Sequence, residues 1–496
     1  MGRDSVAWRR KGGGGQVIND HRRAAGSAPD SPTPPASRSA PTHKGEGGRL
    51  NLARLIAFSL PGLPIGALAV ALPVYLPHYY AVHFGLGLGV GGAFMAVRLI
   101  DMLADPLIGV AMDRTRTRLG RYRVWLLAGA PLLAIPVWLL FLPPIAPSFA
   151  YLVAMLVLYY LGASVVTLAH IAWGSVVSVS YHERSRVFGA IQMTSIFAAA
   201  TVALIPSLLG STAEAVGARA MGLFIVVITP LGIALASTFT PERIAADVQA
   251  ERFRLGEYWE MIMRPDMRRI ILADFCLALG PGWMTALYLF YFHDARGFTA
   301  ASSSALLFIY IVSGVAGAFA ISKAAQRLGK HTTLMVCAVG YSVGLVAINF
   351  MPRGAFWPTA AIMVFNGLMA PSFVLLIRAM TADVGDAVRL EQGRNRMSLL
   401  YSLLTSVEKI AGALSIFLTY TVLAAVGYDS HEGAGNTPGA ILGLQVVFLA
   451  GPVVFVTIGA ACFFGYGLDH AAHAKIRQAL DDRDAGLAAG TGEIHL

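Results

Sequence analysis

Three charged residues recur about once per helical turn inside an otherwise apolar stretch of this chain: Arg98, Asp101 and Asp105. At about 100° per residue, an α-helix would place them within an arc of roughly 60°, on one face. Two carboxylates one turn apart offer up to four oxygens to a small cation. Their mutual repulsion also favours the protonated form of one of them. The spacing therefore predicts a site that binds Na⁺ or exchanges a proton.

These charges are costly if the stretch crosses a bilayer, because an ionised side chain at its centre costs at least ~2.5 kcal/mol on insertion scales. A second apolar stretch holds Lys409, so two bases balance the two acids. Thr167, on a third apolar stretch, can add a hydroxyl oxygen. Two interpretations follow: a cation site with Arg98 and Lys409 as its coupling network, or an ion-pair network that only locks helices together.

The composition is typical of a polytopic membrane protein. Hydrophobic residues make up 56% of the 496 and charged residues 13%, whereas a soluble domain carries roughly 25% charge. The formal net charge of +10 does not predict nucleic-acid binding, because the cations gather in short loops and both tails. The three cysteines lie in apolar segments, which argues against a disulfide framework and against a thiolate metal site.

Twelve apolar segments approach the roughly 20 residues needed to cross the hydrocarbon. We therefore predict an all-α protein with twelve transmembrane helices in two six-helix halves. The charged segment 239–267 separates the halves, and a short Arg-Leu-Gly-basic motif recurs at 118–121 and 327–330. The predicted spans are 54–80, 87–112, 123–143, 148–178, 187–209, 217–238, 268–292, 302–323, 332–351, 357–381, 398–426 and 441–467.

Basic residues concentrate in alternate loops, those after spans two, four, six, eight and ten. By the positive-inside rule these loops face the cytoplasm, and so do both termini. We expect a monomer in the inner (plasma) membrane, with a small-molecule substrate, the lipid bilayer around it and no nucleic acid. The predicted divisions are a disordered cytoplasmic tail (1–48), a first half (49–238), a cytoplasmic linker (239–267), a second half (268–468) and a cytoplasmic tail (469–496).

The pattern D-x3-D-P-x2-G-x3-D-R-T-R-x3-G-R over 101–121 resembles the second-helix signature of the glycoside–pentoside–hexuronide:cation symporters. These form the melibiose permease-like branch of the major facilitator superfamily. The resemblance covers about residues 50–470 and implies the major facilitator fold with alternating access. It also implies that Asp101 and Asp105 bind the cation, that Thr167 assists them, and that Lys409 links the cation and substrate sites.

Several groups of that branch are missing at the matching positions. Where melibiose permease-like members have acids on the first and fourth helices, this chain has Gly66 and His170. Their helix-five arginine is matched by Gln192, and an asparagine among the cation ligands is matched by Ala104. The resemblance thus implies the coupling groups without a melibiose-like substrate. The missing amide oxygen favours H⁺ over Na⁺.

Polar and aromatic side chains at intramembrane positions are the candidate substrate-binding residues. His170 lies one turn before Trp173, whose ring can stack on the apolar face of a sugar. His170 can instead belong to a proton path, or hydrogen-bond a neighbouring helix. Gln192, Trp283 and Asn366 are further candidates, with helix packing as the alternative for each.

The basic loop after span two is predicted to close the inner side of the protein. Its arginines can bond carbonyls at helix ends and acids of other loops, or they only satisfy the positive-inside rule. Asp274 is expected to pair with a loop arginine. The predicted gate residues are Asp113, Arg114, Arg116, Arg378, Asp383 and Asp386.

The sequence contains no Walker-type phosphate loop, zinc-ligand spacing or nucleophile elbow, so it predicts neither an enzyme nor a bound cofactor other than the coupling ion. We expect a secondary active transporter that couples the movement of a small polar solute, a sugar or glycoside, to H⁺ or Na⁺. The first alternative keeps the fold but carries a lysolipid, an amino-acid derivative or another organic ion. The second is a membrane sensor or scaffold that transports nothing.

Overall fold

A computed structural model of the chain describes residues 51–492, apart from 145, 178–180, 211–213, 241, 243–254, 394–395, 432, 434 and 469. Every regular element in these ranges is helical. The predicted N-terminal tail and residues 241 and 243–254 of the charged linker lie outside the described residues.

Eight helices make the six spans of the first half. They are α1 (Leu52–Ser59), α2 (Gly62–Val70), α3 (Leu76–Val82), α4 (Val90–Arg114), α5 (Tyr122–Phe141), α6 (Phe149–Val177), α7 (Tyr181–Leu209) and α8 (Glu214–Phe239). The first span comprises α1, α2 and α3, joined by the Leu60–Pro61 step and by a π-helical turn at Ala71–Tyr75. Prolines cause both breaks, because Pro61 and Pro73 each lack the backbone donor that a continuous helix needs.

The second half has the same plan. Its helices, with the linker helix before them and the tail helix after them, are α9 (Leu255–Met263), α10 (Pro265–Phe290), α11 (Ala300–Leu328), α12 (Lys330–Asn349), α13 (Phe356–Met369), α14 (Pro371–Gln392), α15 (Met397–Ala425), α16 (Pro438–Ala461) and α17 (His470–Gly492). α10 continues in a π-helical turn at Tyr291–Ala295. α13 and α14 form one span, which Pro371 interrupts.

Within the described ranges, eleven segments have the length and hydropathy of membrane spans. α4 is the twelfth: its 25 residues suffice to cross the hydrocarbon, but three charged residues at its centre lower its hydropathy. The prediction of twelve transmembrane helices is confirmed. Four boundaries differ from the prediction by five residues or more. α7 begins earlier, at Tyr181, and α11 ends later, at Leu328. α14 extends to Gln392, where Gly393 adopts a left-handed conformation at φ 69°, and α16 ends earlier, at Ala461.

The two halves meet mainly through α4 with α15 and α7 with α11, and α10 also packs against the π-helical turn and α3 of the first span. We call the end of the bundle that carries the basic loops the basic face and the other end the opposite face. At the opposite face the Tyr75 hydroxyl lies 3.0 Å from the Ser304 hydroxyl, and the His78 and Phe290 rings are 4.3 Å apart. The halves are therefore packed against each other at the opposite face.

The repeated Arg-Leu-Gly-basic motif adopts similar turns in the two halves. Gly120 follows the second span with φ 116°, and Gly329 follows the eighth with φ 87°. Glycine adopts positive φ without the steric cost that a Cβ brings. The repeat in the sequence thus marks a turn that both halves need before the next span begins.

Helices α2 and α7 touch through their backbones at Gly66. A Cβ on Gly66 would lie 2.0 Å from the Ser195 carbonyl oxygen, which is far inside contact distance. One turn earlier, the Ser195 hydroxyl donates to the Gly62 carbonyl oxygen at 3.0 Å. Small residues allow helices in membranes to approach this closely. The position therefore has no room for the acid that melibiose permease-like members carry there.

Gly66→Ala should destabilise the protein by about 1–3 kcal/mol, because the added methyl group forces α2 and α7 apart. We expect a lower unfolding temperature for the purified protein in detergent. Gly92→Ala on α4 is the matched control, since nothing lies within 4 Å of a Cβ at that position. Equal unfolding temperatures for the two variants would contradict the close contact.

The linker ends in a helix that is fastened to the second half. Arg264, just after α9, donates to both carboxylate oxygens of Glu391 on α14, at 2.7 and 3.1 Å. These hydrogen bonds raise the pKa of the Arg264 guanidinium. One turn earlier on α9, Glu260 accepts from Gln392 at 2.9 Å. The last part of the linker therefore moves with the basic-face end of α14.

Candidate functional site

The charged residues of α4 and α15 meet in one network between the halves. Lys409 on α15 lies 3.3 Å from Asp101 Oδ2 and donates a closer hydrogen bond to Asp105 Oδ2. Arg98 Nη1 donates to Asp101 Oδ2 at 3.1 Å. Arg98 also lies over the Tyr160 ring, 4.8 Å from its centroid. We call Arg98, Asp101, Asp105 and Lys409 the central quartet.

The four side chains of the quartet differ in their exposure to solvent. The side chain of Asp101 is fully buried, whereas those of Lys409, Asp105 and Arg98 are 19%, 24% and 27% exposed. Asp105 Oδ1 is itself buried and has no hydrogen-bond partner among the described residues. The charges of the two acids and two bases sum to zero, which lowers the free-energy cost of burying them at membrane depth.

Ser164 also hydrogen-bonds Asp101. The sequence did not identify this residue. Its hydroxyl donates to Asp101 Oδ1 at 2.8 Å from α6. Thr167, the residue that the sequence suggested, lies one turn further along α6 and lines the adjacent cavity. Ser164 and Thr167 both line this cavity, and their spacing of three residues was the available signal.

A cavity of about 430 Å³ lies beside the quartet. Three members of the quartet, Arg98, Asp105 and Lys409, contribute to its wall. Cavities of ~300–1,000 Å³ are the usual size for small-molecule sites. Much of the remaining wall comes from small, aliphatic or hydroxyl-bearing side chains, among them Leu72, Tyr159, Tyr160, Thr167, Thr405 and Gly412.

His170 and Trp173 lie away from this cavity, in the contact between α6 and α1. His170 Nε2 is 2.8 Å from the Phe58 carbonyl oxygen, and the ring centroids of His170 and Phe58 are 5.0 Å apart. Trp173 packs edge-on to Phe58 at 5.3 Å, with the Arg123 guanidinium 5.6 Å from its ring. Both side chains are fully buried. Substrate binding by them stays a prediction, and in this conformation their contacts are with protein.

The other predicted substrate-binding residues are spread over the two halves. Gln192 is exposed on α7. Trp283 on α10 donates to the Val447 carbonyl oxygen at 3.0 Å and packs on Gly451, both on α16. Asn366 is fully buried on α13, where its side-chain oxygen occupies the space beside Gly344. None of the three is among the residues that line the cavity next to the quartet.

The predicted gate acids pair within the second half. Asp383 accepts from Lys330 at 2.6 Å, and His473 on α17 lies 3.3 Å from it. Asp386 pairs with His473 at 3.1 Å and with Arg477 at 3.6 Å. The tail helix α17 thus covers two acids at the basic face.

The remaining predicted gate residues belong to both halves of the fold. Arg378 on α14 pairs with Glu408 on α15 at 3.2 Å. Arg114 and Arg116 are exposed at the end of α4. The side chain of Asp113 lies outside the described residues. A gating role for this set stays a prediction.

Glu242 is a basic-face residue that sequence reasoning missed. Its carboxylate accepts hydrogen bonds from the backbone N–H groups of Arg121, Tyr122 and Arg123, at 2.7, 2.8 and 3.0 Å. It thereby satisfies free donors at the start of α5 and complements the helix dipole. Gly120 leaves room for it, since a Cβ there would lie 2.0 Å from the carboxylate. No local pattern indicates this contact across about 120 residues of chain.

Twelve spans in two halves, with a neutralised charge network and a cavity between them, define a secondary transporter of the major facilitator type. Residues 57–470 match the profile of a family described as MFS/sugar transport protein. The chain belongs to this family, and it is a transport protein, not an enzyme.

The relatives in sequence are similar along most of their length. The uncharacterized symporter YjmB of Bacillus subtilis is 24% identical, over 88% of this chain and 96% of its own. The glucuronide carrier protein homolog of Escherichia coli is 22% identical, over 83% and 91%. The isoprimeverose transporter of Lactiplantibacillus pentosus is 23% identical, over 80% and 84%.

Solved structures agree with the fold. The nucleoside transporter NupG superposes with a TM-score of 0.64 at 12% identity, over 83% of this chain and 99% of its own. A bacterial homolog of the lysosomal transporter Spinster, in an inward-facing occupied conformation, gives 0.61 at 14% identity, over 85% and 97%. At these identities the likeness concerns the fold alone.

Proposed function

We propose that this protein is a cation-coupled symporter of a sugar or glycoside that works by alternating access. Family membership supports transport, and the names of relatives such as the isoprimeverose transporter support a glycoside substrate. The cavity beside the central quartet has the size for one small solute. The observation that carries the proposal is the pair of contacts from Lys409 to Asp101 and Asp105, which joins the two halves at this cavity.

The quartet provides the coupling step. A cation that binds at Asp105 neutralises one of the two acids that hold Lys409. The attraction between Lys409 and α4 is then weaker, so α15 is freer to move relative to α4.

We propose H⁺ as the coupling ion in preference to Na⁺. Both oxygens of Asp101 already accept hydrogen bonds from Ser164, Arg98 or Lys409. Asp105 Oδ1 is the carboxylate oxygen that lacks a partner, and position 104 is alanine, which supplies no ligand. One proton needs one such oxygen, whereas Na⁺ needs several.

The protein is a multi-pass protein of the inner membrane. We further propose that the basic face lies in the cytoplasm, because the loops after spans two, six, eight and ten together hold most of the loop cations. Both termini would then be cytoplasmic. The proposed working unit is a monomer in the lipid bilayer, with a small-molecule substrate and no nucleic acid.

Uptake by purified protein in proteoliposomes tests this proposal. We suggest radiolabelled methyl-β-glucuronide, lactose and isoprimeverose as probes, each with an imposed pH gradient, Na⁺ gradient or neither. We expect accumulation of at least one probe under the pH gradient. Accumulation that follows only the Na⁺ gradient would overturn the choice of ion. Movement of lysophosphatidylcholine in place of all three glycosides would overturn the substrate class.

A further inference from the structure

A carboxyl group outside the central quartet is buried without a partner. Asp274 on α10 is 4% exposed, and its Oδ2 has no hydrogen-bond partner among the described residues. The expected pairing with a loop arginine does not occur among the described residues, which exclude the loop arginines Arg252 and Arg254. A buried ionised carboxylate with no partner is strongly unfavourable. The negative charge of an ionised Asp274 would therefore have to be neutralised.

The charged neighbours of Asp274 come from two helices packed against α10. Glu408 on α15 and Arg378 on α14 are the groups whose charges act on its carboxyl. Helix α16, the other long helix packed on α10, carries no charged residue. Arg378 is already engaged with Glu408 at 3.2 Å. Asp274 thus faces one acid and one base that are paired with each other.

Charge balance distinguishes this group from the central quartet. Arg98 and Lys409 balance Asp101 and Asp105, whereas Arg378 alone stands against Asp274 and Glu408. One negative charge is therefore left over in this group of three residues when both acids are ionised. Because Glu408 is paired with Arg378, the uncompensated acid is Asp274 on α10.

We propose that Asp274 and Glu408 form a second proton site, separate from the cation site at the central quartet, with the proton held at Asp274. Binding consists of one proton adding to a carboxylate oxygen from water, with no other bond broken. Glu408 and Arg378 are 28% and 52% exposed, whereas Asp274 is buried. In this proposal the more exposed Glu408 is the group through which a proton from the solvent reaches Asp274.

This site does not depend on the substrate, so it can be tested without one. Infrared spectra of the purified protein in detergent report a protonated carboxyl through its C=O stretch. Exposed acids are ionised at about pH 6, because their pKa values lie near 4. We expect a C=O band that remains at pH 6 in the wild type and is lost in Asp274→Asn.

Two matched variants assign the band. Asp294→Asn changes a carboxyl at the other end of the same span, where His293 and Tyr428 hydrogen-bond it, and it should keep the band. Asp105→Asn should also keep it, which separates this site from the quartet. The proposal is overturned if the wild type has no such band at pH 6, or if Asp274→Asn retains it in full.

A further variant covers the case in which Asp274→Asn does not fold. Glu408→Gln removes the neighbouring negative charge, so the band should titrate at lower pH than in the wild type. An unchanged titration in Glu408→Gln would mean that the two carboxyls do not share a site.

Discussion

Asp105→Asn should abolish uphill uptake while leaving the protein folded in the membrane. The amide keeps the shape of the side chain but removes the charge that Lys409 and the cation share. An amide takes up no proton near neutral pH, so the variant lacks the group that the coupling cation binds. The measurement is accumulation in proteoliposomes under a pH gradient, with whichever glycoside the wild type takes up.

Asp482→Asn is the control for this variant, because Asp482 is exposed on the tail helix α17. We expect it to accumulate solute like the wild type. Solute exchange down its own gradient should persist in Asp105→Asn if the variant still binds solute. Normal accumulation by Asp105→Asn would show that the quartet does not couple solute movement to the cation.

Lys409→Gln should strongly destabilise the protein, and a second change should rescue it. Without Lys409, Arg98 alone faces two buried acids, and the loss is about 3–5 kcal/mol. We expect the unfolding temperature to fall by roughly 5 °C or more. Adding Asp105→Asn removes the unbalanced charge, so the double variant should regain most of that loss.

The exposed Lys323 on α11 offers a matched control, since Lys323→Gln removes the same charge at the protein surface. Its effect should lie within about ±0.5 kcal/mol. If the effects of Asp105→Asn and Lys409→Gln were simply additive, the two residues would not interact, and the electrostatic basis of the network would be lost.

The spans could be predicted from the sequence because the bilayer fixes their length and chemistry. A run of about 20 apolar residues has few other structures available to it. The breaks were harder to predict. The prolines near 61 and 73 indicated a bent first span, but only the structure gives the π-helical turn at Ala71–Tyr75. Likewise, Gly393 with its positive φ, and not the end of the apolar run, sets where α14 ends.

The site could be predicted only where one helix carries the information. The spacing of Arg98, Asp101 and Asp105 is local to α4, and the structure places the three together. Which side chains arrive from other helices depends on how those helices rotate. A small rotation of α6 decides whether Ser164 or Thr167 reaches Asp101. In the rotation that the structure shows, Ser164 bonds Asp101 and His170 lies against the Phe58 carbonyl oxygen.

The backbone contact at Gly66 has a consequence for redesign of specificity. Grafting an acid onto the first span is the obvious route to a galactoside carrier, yet any side chain at 66 meets the Ser195 carbonyl. A successful graft must first reshape α7, for instance by shifting its register or introducing a kink. The backbone path of α7 therefore limits which side chains, and hence which sugar-binding groups, the first span can carry at position 66.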